Sequence, residues 1–218
     1  MIMEKLMKLH KFDEEEPEEV PGEEPEKEPV KETPKEDGMR EMLAEKFLKT
    51  RTILIFGEIN QRTAQTVTEQ LLLLSTMSDE DIKIIINSPG GHVESGYTIF
   101  DMIRFVKPKV KVIGTGWVAS AAALIYLAPP AERRFSLPNT RFLIHQPMGA
   151  ISGSARDLAI EAEEIVKMRK KLNELISQQT GQSIDKVEHD TDRNFWMNAD
   201  EAINYGVVGK IVETSEEV

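Results

Sequence analysis

An α/β fold with a mostly parallel sheet is predicted by three observations. Apolar runs of strand character recur along the chain: TILIF at 52–56, DIKIIIN at 81–87 and VKVIGT at 110–115. Each is followed after a short connection by a segment with helical spacing of its apolar residues. The runs are nearly continuous in apolar residues rather than alternating, which fits strands covered on both faces.

The elements follow in order. Met42, Leu43, Phe47 and Leu48 fall on one face of a short helix from Met39 to about Lys49. The strand Thr52 to Phe56 stops at Gly57, and a helix covers Thr63 to Ser75. The strand Asp81 to Asn87 runs into Ser88-Pro89-Gly90-Gly91, which carries the residues of a turn. Val93 to Val106 is helical until Lys107-Pro108 ends it. Val110 to Thr115 is a strand, Ser120 opens a helix over Ala121 to Leu127, and strands follow at Phe135 to Leu137 and Arg141 to His145. From Ser154 to Gln179, Leu158, Ala162, Ile165, Met168, Leu172, Leu175 and Ile176 recur at helical spacing. At 1.5 Å per residue that helix is roughly 39 Å long, which suits an arm packing on another subunit as well as a long surface helix. Gly181 ends it. Ser183 caps a helix over Ile184 to His189, Asp190 to Asn194 is a polar turn, and Asn198 caps a helix over Ala199 to Tyr205. Gly206 stops that helix, and Val207 to Val212 is the final strand.

Charge divides the chain in two. Residues 13–38 hold 13 acidic and 3 basic residues, with Pro17, Pro21, Pro25 and Pro29 at four-residue intervals. Like charge and regular proline predict an extended, disordered tail over 1–38, preceding a globular domain over 39–218. The short apolar and basic start, residues 1 to 12, reads as a frayed end or a docking peptide. The rest of the chain carries 25 acidic against 24 basic residues, so it has no field to draw in nucleic acid. Cysteine is absent, which excludes disulfides, thiol catalysis and thiolate metal sites. No run reaches the roughly 18 apolar residues of a membrane span, and the N-terminus lacks a signal-peptide core. A cytoplasmic protein with no partner in membrane or nucleic acid is expected.

Two residues suit chemistry. Ser120 stands between a strand and a helix, and His145 ends a strand; sites in parallel sheets gather beyond the carboxyl ends of strands. Together they have the makings of a nucleophile and its general base. Taken singly, Ser120 equally reads as a helix N-cap and His145 as a core histidine. Gly90-Gly91 and the Ala121 N–H at a helix start offer main-chain donors for an oxyanion. The histidines show no metal-ligand spacing, so no metal and no cofactor are expected.

The combination INSPGG (86–91), VASAA around Ser120, LPNTRFLIHQP (137–147), TGQS (180–183), DTDRN (190–194) and ADEAINYGVV (199–208) resembles the proteolytic subunits of Clp proteases over about Arg51 to Glu213. The resemblance implies a crotonase-like fold of repeated strand–strand–helix units with a long protruding handle helix. It implies a self-compartmentalised serine endopeptidase in heptameric rings stacked as a tetradecamer, fed unfolded chains by an AAA+ unfoldase that uses the ATP. By position, Ser120 is the nucleophile, His145 the base, and Gly91 and Ala121 the oxyanion donors. Asp192 and Arg193 fall where charged residues couple ring contact to active-site alignment, and 154–179 matches the handle.

Three departures stand out. Asn194 occupies the place of the triad aspartate. Ala121 replaces the usual methionine after the nucleophile, with Trp117 upstream. The acidic tail and the Met39 helix replace the axial-loop segment. An asparagine carbonyl can accept the Nδ1 proton but brings no charge, and its turned amide fixes the wrong tautomer. Weak or conditional activity is therefore expected, unless Asp190 or Asp192 reaches His145 or a second subunit of this type completes the assembly. The alternatives are a structural or regulatory subunit of a hetero-oligomer, and a crotonase-type acyl-CoA enzyme on the same fold.

Overall fold

The computed structural model describes residues 36–149 and 152–218. Most of the acidic tail thus lies outside the described residues. Its last residues already belong to α1 (Glu36–Lys49), which starts three residues before Met39.

The core is the alternation read from the sequence. It comprises β1 (Thr52–Ile59), α2 (Gln61–Met77), β2 (Ile82–Gly91), α3 (Val93–Phe105), β3 (Val110–Ala119) and α4 (Ala121–Tyr126). There follow β4 (Arg134–Ser136), β5 (Arg141–Ile144), α5 (Ala155–Thr180), α6 (Ile184–Asp190), β6 (Phe195–Met197), α7 (Ala199–Tyr205) and β7 (Lys210–Ile211). The sheet runs β1-β2-β3-β4-β7, all parallel. β3 forks: residues 112–114 pair with β4, and 117–119 pair with β5. β5 in turn takes β6 as its antiparallel neighbour. Ile53, Ile55, Ile82, Ile84, Ile86 and Val112 are buried in the sheet, beneath Ala64, Val67, Leu71 and Leu74 of α2 and Ile99 and Ile103 of α3.

Two expectations are corrected. Ser88-Pro89-Gly90-Gly91 is no turn; it continues β2, paired with β1 through Glu58↔Gly90 and Ile59↔Gly91 and with β3 through Ser88↔Val118. The register shifts on both sides, between Phe56 and Glu58 and between Ile86 and Ser88. Bulges thus absorb the proline and glycines that would otherwise end a strand. Gly57, expected to stop β1, sits at that bulge with φ 76° and the strand passes through it. The second correction is β6. Its three residues escaped the sequence reading, and they align the loop that carries Asn194.

α5 has the expected length. Ser154 caps it in a reciprocal box with Asp157, and Gly181 closes it in the left-handed conformation. Its buried residues, Leu172, Asn173 and Ile176, all lie in the C-terminal half. The N-terminal half shows Leu158, Ile160 and Val166 to solvent, so the helix protrudes from the body.

A buried arginine locks the C-terminal elements together. Arg134 is 1% exposed, and its guanidinium donates to the carbonyls of Pro129 (2.7 Å), Gln179 (3.0 Å) and Gly206 (3.2 Å). The last two acceptors lie at the C-terminal ends of α5 and α7, where carbonyls lack helical partners. Burial lowers its pKa to about 10, still far above neutrality. Arg134→Met would strand those carbonyls. A loss of about 3 kcal/mol of stability is expected, read as a lower midpoint of urea unfolding; an unchanged midpoint would contradict the role given to this residue.

Candidate active site

Ser120 is where the strand-to-helix junction turns sharply. It has φ 55° and ψ −122°, one of two non-glycine residues with positive φ among the described residues. Such a conformation in a non-glycine residue costs about 1–3 kcal/mol and persists only when the surroundings impose it. Here they do. The Ser120 N–H donates to Leu143 O (2.9 Å), which extends the β3–β5 ladder, and its carbonyl accepts from Ala123 and Leu124 to start α4, whose six residues are all buried. The hydroxyl makes no capping bond. Ser120 thus holds the N-cap position by its backbone alone, and its side chain takes no part in the capping.

Gly90 and Gly91 have different tasks. A Cβ on Gly90 would fall 2.6 Å from Ser120 Cβ and 2.6 Å from Ala119 O, so β2 can lie against the nucleophile only with glycine there. The Gly90 N–H is held by Ser88 Oγ (3.1 Å). A Cβ on Gly91 would instead fall 2.2 Å from Ile59 O, so that glycine serves the approach of β1. The sequence names Gly90 with Gly91 for a close backbone approach; the structure adds that Gly90 is the one lying against Ser120. Ala121 opens α4 directly after Ser120, so its N–H is one of the first-turn donors without a helical acceptor.

His145 follows the last residue of β5 and Asn194 precedes the first residue of β6, its antiparallel neighbour. β5 and β6 pair as Phe142↔Met197, Leu143↔Trp196 and Ile144↔Phe195. Beyond that pair the ladder is interrupted: the Gln146 N–H donates to the Thr191 carbonyl at 2.6 Å, two residues out of the β5–β6 register. In the parallel direction Ala119 pairs with Leu143, so Ser120 and His145 leave adjacent strands within one residue of each other. His145 and Asn194 line one cleft of about 490 Å³ with Gln146, Pro147, Met148, Asp192 and Arg193. Burial holds the His145 pKa below its ordinary 6.5, so the ring is neutral at pH 7 and able to take a proton. Ser120 does not line this cleft, and among the described residues no hydrogen bond joins Ser120 Oγ, the His145 ring and the Asn194 amide.

The two aspartates offered as alternatives are engaged elsewhere. Asp190 accepts from Lys186 (2.5 Å), His189 (3.2 Å) and the Tyr205 hydroxyl (3.0 Å). Burial pushes its carboxyl up, but those hydrogen bonds and the Lys186 charge outweigh burial and hold it below the ordinary carboxylate value. Asp192 accepts from Arg169 (3.2 Å), and the Gln146 amide donates to its carbonyl at 2.6 Å. Arg193 is turned to solvent, with its guanidinium on the Asp192 carbonyl at 2.9 Å. Gln146 and Arg169 were not singled out from sequence. Gln146 adjoins His145 in the HQP run, which was a usable signal; Arg169 is one charge among many on α5.

Comparison with known proteins identifies the family. A family model described as Clp protease matches residues 35–215. A chain named ATP-dependent Clp protease proteolytic subunit 3 from Rhizobium johnstonii is 57% identical over 170 residues, covering 78% of this chain and 88% of the relative. A subunit 2 of the same name from Gluconobacter oxydans is 55% identical over 178 residues, covering 81% and 80%. Among solved structures, ClpP1 from Listeria monocytogenes superposes with a TM-score of 0.73 at 54% identity over 80% of this chain and 98% of that one. An Asn-to-Asp mutant of the same protein reaches 0.75 at 55% identity. With a strained serine at a strand-to-helix junction, a neutral histidine one strand away and a family match over most of its length, the chain belongs to the Clp protease family of serine peptidases.

Proposed function

We propose that this chain is a proteolytic subunit whose Ser120, His145 and Asn194 form a triad of low intrinsic activity. The observation that carries the reading is the backbone of Ser120, which holds a hydroxyl that makes no capping bond in a strained conformation beside the strand that leads into His145. Ser120 Oγ attacks the scissile carbonyl, and His145 takes its proton and returns it to the leaving amine. The N–H groups of Gly91 and Ala121 receive the oxyanion. Asn194 orients His145 without stabilising the imidazolium that forms. The chain works in stacked heptameric rings with α5 at the ring-to-ring contact and Asp192 and Arg193 coupling that contact to the site. An AAA+ unfoldase supplies unfolded substrate and consumes the ATP; this chain needs no cofactor or metal of its own. Relatives named as numbered subunits favour a second subunit of the same type in the assembly. The setting is cytoplasmic, in keeping with the lack of any described helix able to cross a membrane.

The test is hydrolysis of a fluorogenic peptide by the purified chain beside its Ser120→Ala variant. Slow turnover that vanishes in the variant is expected. Equal rates in the two would contradict the assignment.

A further inference from the structure

We propose that Tyr205 of α7 is a positioning residue for Asn194, clasping both ends of the loop that carries it. The proposal rests on the triad reading above. The loop runs from Asp190, the last residue of α6, to Phe195, the first residue of β6. At one end, the Tyr205 hydroxyl donates to Asp190 Oδ2 at 3.0 Å. At the other, its ring packs on Phe195, the residue directly after Asn194, with centroids 5.5 Å apart and planes tilted by 46°. Lys186 completes the clasp. Its ammonium lies 2.5 Å from Asp190 Oδ2, 4.7 Å from the Tyr205 ring centroid and 5.7 Å from that of Phe195.

The tyrosine is itself held in place. It is buried at the end of α7, and its carbonyl accepts from Gln182 Nε2 at 3.0 Å. Gly206 follows at φ 89°, where a Cβ would fall 2.2 Å from the Thr180 carbonyl oxygen, so only glycine lets the chain pass this close. The TGQS and ADEAINYGVV stretches thus meet at Tyr205, and neither contributes a residue to the triad. Burial and the Asp190 carboxylate push the phenol pKa up, so the hydroxyl stays a donor at neutral pH. Its acceptor is charged, and a hydrogen bond to an ionised group is stronger than one between neutral groups. With both ends fixed by one rigid side chain, the short loop has little freedom to carry Asn194 elsewhere. Releasing the Asp190 end lets residue 194 drift relative to His145, although Tyr205 does not reach the reacting atoms.

The experiment introduces Tyr205→Phe, which keeps the ring and removes only the hydroxyl, into full-length Asn194→Asp and Asn194→Ala proteins. Ser120 is labelled with a fluorophosphonate, and the rate constant and final stoichiometry are recorded separately. In Asn194→Asp the exchange is expected to slow labelling about tenfold at full stoichiometry, the scale on which a small misplacement of a catalytic group acts. In Asn194→Ala no group remains at 194 to be positioned, and the slowing should be about twofold or less; the difference is the coupling between the two residues. Equal slowing in the two proteins would overturn the proposal. An unchanged rate in Asn194→Asp with reduced stoichiometry would do the same, because it shows loss of folded sites only. Failure of wild-type Ser120 to label at all defeats the proposed function instead. The positioning claim is then decided by NMR of histidine labelled at Cε1. Asn194→Asp must raise the His145 titration midpoint, and adding Tyr205→Phe must take back about half a pH unit or more of that rise. A midpoint unmoved by Asn194→Asp, or a rise left intact by Tyr205→Phe, overturns it.

Discussion

Asn194→Asp is expected to raise peptide hydrolysis by a factor of 10² or more, measured as kcat with a saturating fluorogenic peptide. In serine peptidases built on an aspartate, the reverse exchange lowers kcat by about 10⁴-fold with the geometry intact. Residue 194 lines the same cleft as His145, so the new carboxylate has its partner nearby. It accepts the Nδ1 proton, fixes the productive tautomer and stabilises the imidazolium. The pH profile should move with it. His145 is held below 6.5 by burial, and the neutral ring is the active form, so the acid limb of kcat/KM in the wild type falls below pH 6.5. A carboxylate beside the ring favours the charged form, and in Asn194→Asp that limb shifts to higher pH. For stability the sign is the same as for activity. Above pH 6.5 the ring is neutral folded or unfolded, and on acidification the unfolded chain binds the proton more readily, so this group's contribution is lost as pH falls. A rise in kcat without movement of the acid limb would mean that the carboxylate acts elsewhere than on His145.

Gly90→Ala is expected to reduce that recovered activity by at least about 10²-fold, the scale of a displacement near 1 Å at a reacting group. The new methyl would stand 2.6 Å from Ser120 Cβ and Ala119 O at a residue with φ 94°, so the nucleophile or β2 must move. Gly57→Ala is the control. It meets the same backbone penalty at φ 76°, but nothing lies within 4 Å of its Cβ. That variant should lose about 1 kcal/mol of stability and keep its turnover per folded site. If Gly57→Ala and Gly90→Ala lose turnover equally, backbone strain rather than contact with Ser120 explains both.

Ser120 and His145 were legible in the sequence because their places are set locally, by where strand runs stop and a helical run begins. The frame was legible for the same reason, down to the caps of α5 and α7. Three parts were not. The Ser88–Gly91 stretch has turn chemistry residue by residue, and only the bulged pairing with β1 and β3 keeps it extended. β6 is three residues between polar neighbours, too short to show a period, yet it pairs with β5, the strand that leads into His145. Besides Pro129, the partners of Arg134 and Arg169 lie 23 to 73 residues away, and no spacing in the chain announces such pairs. Asn194 itself was picked out by resemblance to a family. The structure adds that Asn194 lines one cleft with His145.

The account turns on whether Ser120 is a nucleophile limited by its third partner. Fluorophosphonate labelling of wild type and Asn194→Asp, with the modified residue located by peptide mass analysis, reads this directly. Labelling confined to Ser120, slow in the wild type and faster by a factor of 10 or more in Asn194→Asp, is the expected result. Labelling at another residue, or equal rates in the two proteins, would contradict it.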